Sequence, residues 1–273
     1  MKKKYATIIL ALVSLSAMAD NYKYAAALKD SAQTTLQNRI EAEADFKFNY
    51  LTLSIGEEVR SNLYPNAQFS QSNTTVGLTV PIVKGEIFGL SGHAHYMLRV
   101  KGNQLAKDTV NIQKVLRHRV YFGLTQSFKM GMYKNWQLSL KERAVVDMRF
   151  DEFNEYQHQR YTWEMRYRLQ LQYKALSQPL TPYVWTELIH SCNLTDAQKY
   201  YTNNKQIITD VRCALGLKWK INQDNSLNFY LRYDWTRDID VDLNAKGTKI
   251  KSAYDIKQNT VIIGIAYNFG YKK

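Results

Sequence analysis

Hydrophobic and polar residues alternate along most of this chain. Between Arg160 and Lys174 the odd positions are Tyr161, Trp163, Met165, Tyr167, Leu169, Leu171 and Tyr173, and the even positions are Arg160, Thr162, Glu164, Arg166, Arg168, Gln170, Gln172 and Lys174. A period of two is that of a strand with its faces in two different environments; a helix would scatter both sets over every face. The pattern returns at Ile40, Ala42, Ala44, Phe46 and Phe48, and again at Leu227, Phe229, Leu231, Tyr233 and Trp235. Further strands are expected at about 51–60, 73–82, 86–101, 114–130, 135–150, 180–191, 206–221 and 256–270, which makes eleven clear strands. Several reach the roughly 9–11 residues with which a tilted strand crosses a bilayer.

The connections are short near 49, 83–85, 131–134, 175–179 and 222–224, and are expected to be long at 61–72, 102–113, 151–157, 192–205 and 238–255. In bacterial barrels short turns face the periplasm and long loops the outside, with an even strand count. That rule requires one more strand before residue 39. The weak alternation at 21–30 supplies it, followed by an outer loop near 31–37. The fold class expected is therefore all-β: an antiparallel up-and-down transmembrane β-barrel of about 12 strands. Pro65, Pro81, Pro179 and Pro182 fall in loops or near strand ends, where a missing N–H is tolerated. Trp136, Trp163, Trp219, Trp235, Tyr267 and Phe269 sit on the apolar faces, as an interfacial girdle requires.

The amino terminus changes the picture by adding a compartment. Lys2, Lys3 and Lys4 form a positive segment, Ile8 to Leu15 an apolar one, and Ala17-Met18-Ala19 a small-x-small cleavage site. Residues 1–19 therefore read as a cleaved signal peptide and 20–273 as the barrel, with the cell outer membrane as the expected location. A mean hydropathy of −0.44 does not oppose this, because only every second residue of such a strand meets lipid. The formal charge is +13, to which Lys2, Lys3 and Lys4 contribute three. Export makes nucleic acid an unsuitable partner for that charge; outer-membrane lipid and lipopolysaccharide fit the compartment. The final strand, Val261, Ile263, Ile265, Tyr267 and Phe269, resembles the terminal signal read by barrel-assembly machinery.

The candidate chemistry lies on the charged faces. Arg117, Arg119, Lys141, Arg143, Arg149, Arg160, Arg166, Arg168, Arg212 and Arg232 are expected to point inward with Glu58, Asp147, Glu164, Asp210 and Asp234. Two readings are open: a self-paired lumen holding the barrel shut, or an anion-attracting pore lining. Glu142 falls on the apolar side, which predicts a bulge or register shift there. His93 and His95 share one face but lack the third protein ligand that catalytic zinc takes. His190 and Ser191 invite comparison with outer-membrane lipid hydrolases, although adjacent strand residues point to opposite faces. Cys192 and Cys213 flank one long loop, and a disulfide between them follows if their strands pair in register. Phosphate-binding glycine loops, metal-binding cysteine clusters and any other cofactor signature are absent from the sequence.

Arg117-His118-Arg119-Val120-Tyr121-Phe122-Gly123-Leu124, then Leu138-Ser139-Leu140-Lys141-Glu142-Arg143, Tyr161 to Gln172, and Pro182-Tyr183-Val184-Trp185-Thr186-Glu187 follow one another. This order of arginine-rich strands before a proline-led strand carrying a glutamate resembles the outer-membrane barrel family called domain of unknown function 2490. The resemblance implies no activity, cofactor or catalytic residue. It does imply that Glu187 faces the lumen among arginines in a structural role. The function expected is a narrow or closed non-enzymatic barrel, either structural or a channel for small solutes and anions. The alternatives are a lipid hydrolase at the outer rim and a soluble secreted β-barrel binder.

Overall fold

The computed structural model of the chain describes residues 25–102, 116–133, 136–150, 162–175, 178–203, 207–244 and 248–272. The signal peptide expected over 1–19 and Arg160 lie outside them. Eleven strands form one closed barrel: β1 (Leu28–Lys47), β2 (Thr52–Tyr64), β3 (Gln68–Lys84), β4 (Phe88–Lys101), β5 (Leu116–Tyr133), β6 (Trp136–Phe150), β7 (Thr162–Ala175), β8 (Leu180–Ser191), β9 (Ile208–Lys220), β10 (Asn225–Leu243) and β11 (Ile250–Lys272). One helix, α1 (Asp196–Thr202), lies between β8 and β9. Chain neighbours pair antiparallel throughout, and β1 closes on β11 in parallel, from Leu28↔Ala253 to Lys47↔Lys272. Parallel closure follows from the odd count, since strands one and eleven run the same way.

The architecture is the all-β barrel expected, and the strand count differs at one place. Of the separate strand expected at 21–30, residues 21–24 lie outside the described residues, and 28–30 run with the expected loop at 31–37 into the continuous β1, which holds residues 31–37 in the ladder. The even count assumed that both ends of the barrel chain share one mouth. Here β1 starts at the mouth opposite to that where β11 ends. Two expected loops also shrink: 61–72 is strand except for 65–67, and 238–255 is strand over 238–243 and 250–255. These stretches extend the ladder past the apolar belt. Residues 31–37 and 61–64 carry no sustained apolar row and so look like loops in the sequence, whereas 238–243 alternates and buries Ile239, Val241 and Leu243.

The barrel is built inside out. Asp147 and Glu187 are 0% and 1% exposed, whereas Leu215 and Ile263 are 60% and 56% exposed. On β10 the outward row Leu227, Phe229, Leu231, Tyr233 and Trp235 gives way to Arg237; on β11 the row Val261 to Phe269 gives way to Asn259, Lys257 and Asp255. For strands tilted at ~40° such a row spans on the order of 20 Å along the axis, near the ~25 Å of a lipid-facing band. Arg237 holds Asp255 at 2.8 Å and Lys257 holds Asp30 at 3.0 Å at the belt's upper edge. Above that edge α1 covers the outward face of β10. Its Ala197 packs on Ile239 and Val241, Thr195 and Gln198 form a capping box, and Gln198 donates to the Ile239 carbonyl at 2.9 Å. Tyr201 of α1 donates to the Ala26 carbonyl at 2.6 Å, tying down the chain just before β1.

No bulge occurs at Glu142. The β5–β6 register runs through Gln126↔Glu142 unbroken and shifts instead between Lys129 and Gly131. Glu142 stays on the outward face because Gln126, its cross-strand neighbour, donates its amide to the carboxylate.

Candidate functional site

Alternation delivers every lumen side chain. On β5 to β10 the inward positions carry Arg119, Asp147, Arg149, Glu164, Arg166, Arg168, Glu187, Asp210, Arg212, Arg232 and Asp234. Direct register sets like charges opposite one another at Arg119↔Arg149 and Asp147↔Glu164, where the ion pairs run diagonally, and alternates charge along the row Arg168↔Glu187↔Arg212↔Asp234 over β7 to β10.

Glu187 is the hub. It accepts from Arg166 at 2.9 Å, Arg168 at 3.1 Å and Arg212 at 3.2 Å. Asp147 accepts from both sides, from Arg119 Nε at 2.6 Å and from Arg166 at 3.4 Å. Glu164 pairs with Arg149 at 2.5 Å. Arg212 also holds Asp210 at 2.9 Å, and Asp234 accepts from Arg232 Nε at 2.6 Å. The planar guanidinium suits this work, because it gives several donors in fixed directions and stays charged. Trp185, inward on β8, sits under two of these cations, with Arg168 4.2 Å and Arg232 5.6 Å from its ring. Its cross-strand neighbour is the small Ala214, so the indole has room to reach β10.

The network continues around the barrel through Glu58, expected on an inward face, and through Arg39, Glu41, Arg60, Asn73 and Arg99, which the sequence did not single out. Arg39 on β1 pairs with Glu41 at 3.0 Å and with Glu58 on β2; Arg60 reaches the same Glu58 at 2.5 Å. Asn73 on β3 donates to Glu58 and accepts from Arg99 on β4 at 2.9 Å. Tyr230 on β10 donates to Glu41 and so joins the two arcs. Arg39 and Glu41 stood on a charged face of an expected strand, and that face was the available signal. Arg60 and Asn73 fall at or beyond the edge of clear alternation.

Two guanidiniums stand apart. Arg99 meets Asn73 and Arg143 has a buried Nε without a hydrogen-bond partner; among the described residues neither pairs with a carboxylate. Arg143 is the cross-strand neighbour of Arg168, close to the stacked pair His95 and Tyr121, whose ring centroids are 4.6 Å apart. Arg117, at the upper end of β5, takes no part in the pairs above but has partners of its own. The charged lumen encloses a central cavity of about 700 Å³, and a second cavity of about 290 Å³ opens at the short-turn mouth; Asn268 lines both.

Other candidates are not assembled. His190 is outward, stacked near Tyr167 at 6.0 Å, whereas Ser191 is buried and donates to the Asn193 carbonyl at 3.1 Å, so this serine and histidine do not meet; His190 Nε2 lies instead 3.9 Å from Cys192 Sγ. His93 and His95 are edge to face at 5.5 Å, and no group of three metal-ligand side chains forms among the described residues. The disulfide between Cys192 and Cys213 is corrected to two free thiols. The β8–β9 register sets Cys213 opposite Thr186, six positions along from Cys192, which is too far for a bond requiring Cα atoms within ~7 Å.

A model of a family described as proteins of unknown function (DUF2490) matches residues 66–244, well over half of the chain. No curated protein and no solved structure matches it.

Proposed function

We propose, from the premise that the chain belongs to the DUF2490 family of proteins of unknown function, that it is an outer-membrane β-barrel whose narrow, charge-paired lumen admits small anions. The observation that carries this is the inverted burial. Carboxylates and guanidiniums fill the interior while large apolar side chains such as Ile40, Leu124 and Leu215 point outward. A soluble barrel binder needs the opposite distribution, with an apolar pocket and a polar coat. Lipid around the outward belt makes the arrangement stable, since it removes those side chains from water.

Selectivity follows from the balance inside. Most lumen carboxylates are occupied by arginine, and Arg99 and Arg143, which form no ion pair among the described residues, add positive charge beside the central cavity. A low-dielectric wall focuses that charge on the path of an ion. The hydrolase reading finds no support at His190 and Ser191, which face opposite ways.

Purified protein in planar bilayers under a potassium chloride gradient tests the proposal. A small unitary conductance with a reversal potential on the chloride side is expected. Absence of any conductance, or cation preference, contradicts it.

A further inference from the structure

The short-turn mouth of the barrel is basic and is arranged to receive a ligand. At the short-turn mouth Lys47 of β1, Lys141 of β6, Lys174 of β7 and Lys218 and Lys220 of β9 all line the cavity of about 290 Å³. Among the described residues none of these lysines forms an ion pair. The cavity's carboxylates are Asp45 and Asp224, and Asp45 accepts the Ser54 hydroxyl at 2.7 Å. At the long-loop mouth, by contrast, the inward positions of β10 end in the exposed Asp238, Asp240 and Asp242.

Solvated lysines scattered over a rim would need no explanation. These five converge on one small cavity from four strands, and like charges held together at short range are costly unless a counter-anion joins them. The arginines above them are used differently: they are matched to carboxylates by planar, two-pronged geometry, whereas ammonium groups are compact point charges that suit a phosphate approached from several sides. The remaining wall supplies amide and hydroxyl groups from Gln172, Thr181, Asn225 and Asn268, able to bond phosphate oxygens or P–O–H groups. An acyl chain has no apolar wall to lie on inside the lumen, which selects a soluble phosphate over a lipid headgroup.

We infer that the short-turn mouth is a binding seat for soluble multivalent oxyanions of the phosphate class, entered from that side. The seat deepens the anion reading above but is tested without conduction. Thermal unfolding of the detergent-folded barrel is followed with increasing pyrophosphate at constant ionic strength, chloride serving as the control. A ligand that binds only the folded state raises the midpoint saturably. Wild type is expected to show that rise, and Lys141→Gln/Lys218→Gln to bind roughly tenfold or more weakly, since two charge-assisted contacts to the oxyanion are lost. Lys29→Gln/Lys251→Gln, which removes the same charge at the long-loop end, is expected to behave as wild type. Heat-modifiable gel migration checks that each variant is folded. No saturable rise, or equal binding by wild type and Lys141→Gln/Lys218→Gln, overturns the seat. A barrel that binds pyrophosphate and does not conduct keeps the seat and removes the conduit; one that conducts without binding does the reverse.

Discussion

The ring of Tyr230 lies over Gly264, its partner in the β10–β11 ladder, and its hydroxyl reaches past that glycine to Glu41 on β1. A β-carbon on Gly264 would collide with the ring. Tyr183 treats Gly216 in the same way on its route to Asn228, 2.9 Å away. A bulky side chain on one strand therefore rests on a bare backbone on the next and bonds to a polar group on the strand beyond. Gly264→Val is expected to displace Tyr230, free Glu41 and destabilise the barrel by ~1–3 kcal/mol, read as a lower urea midpoint of the folded gel band.

Glu187 is shared by Arg166, Arg168 and Arg212, so its loss leaves three cations without their common partner. Glu187→Gln is expected to cost ~3–5 kcal/mol, as breaking a buried pair does, whereas Lys257→Gln at the exposed outer pair with Asp30 is expected to leave the urea midpoint near that of wild type. Urea titrations of both variants check the contrast, and equal losses would refute it.

Arg143 makes no ion pair among the described residues, so its removal separates selectivity from stability. Arg143→Gln is expected to shift the reversal potential toward zero while stability changes by about 1 kcal/mol or less, since no carboxylate is stranded. Bilayer recordings and urea unfolding of one preparation provide both readings.

Cys192 and Cys213 are free. Migration on non-reducing gels is expected to match migration after reduction, and thiol titration of the unfolded chain to find two reactive sulfurs. A mobility difference confined to the non-reduced sample would indicate that the register of β8 and β9 is wrong.

What the sequence made legible depended on where two environments meet. In Tyr161–Lys174 and Leu227–Trp235 one face is apolar and the other charged, and the ladders include both. In Ser31–Gln37 and Ser61–Tyr64 the strand continues with no such contrast and looks like loop, whereas Asp238–Leu243 does alternate, its apolar residues buried and its aspartates exposed, so that strand was legible and only its length was missed. The parallel closure of β1 on β11 has no local signature, because it depends on a count. Within the site, parity on a strand placed Arg119, Arg166, Glu164 and Arg212 on one wall, but pairing is set by register, which joins residues of different strands. For that reason Glu187 could be read as an inward glutamate among arginines without revealing which three it binds, and Cys213 could be set beside Cys192 when its neighbour is Thr186.

The most direct test of the account is where the protein goes and how it unfolds. Expressed with its own amino terminus in a Gram-negative host, it is expected to fractionate with the outer membrane, resist extraction by carbonate, need detergent for release, and migrate faster unheated than boiled. Recovery in the periplasmic soluble fraction without detergent, with a single gel mobility, would contradict the account.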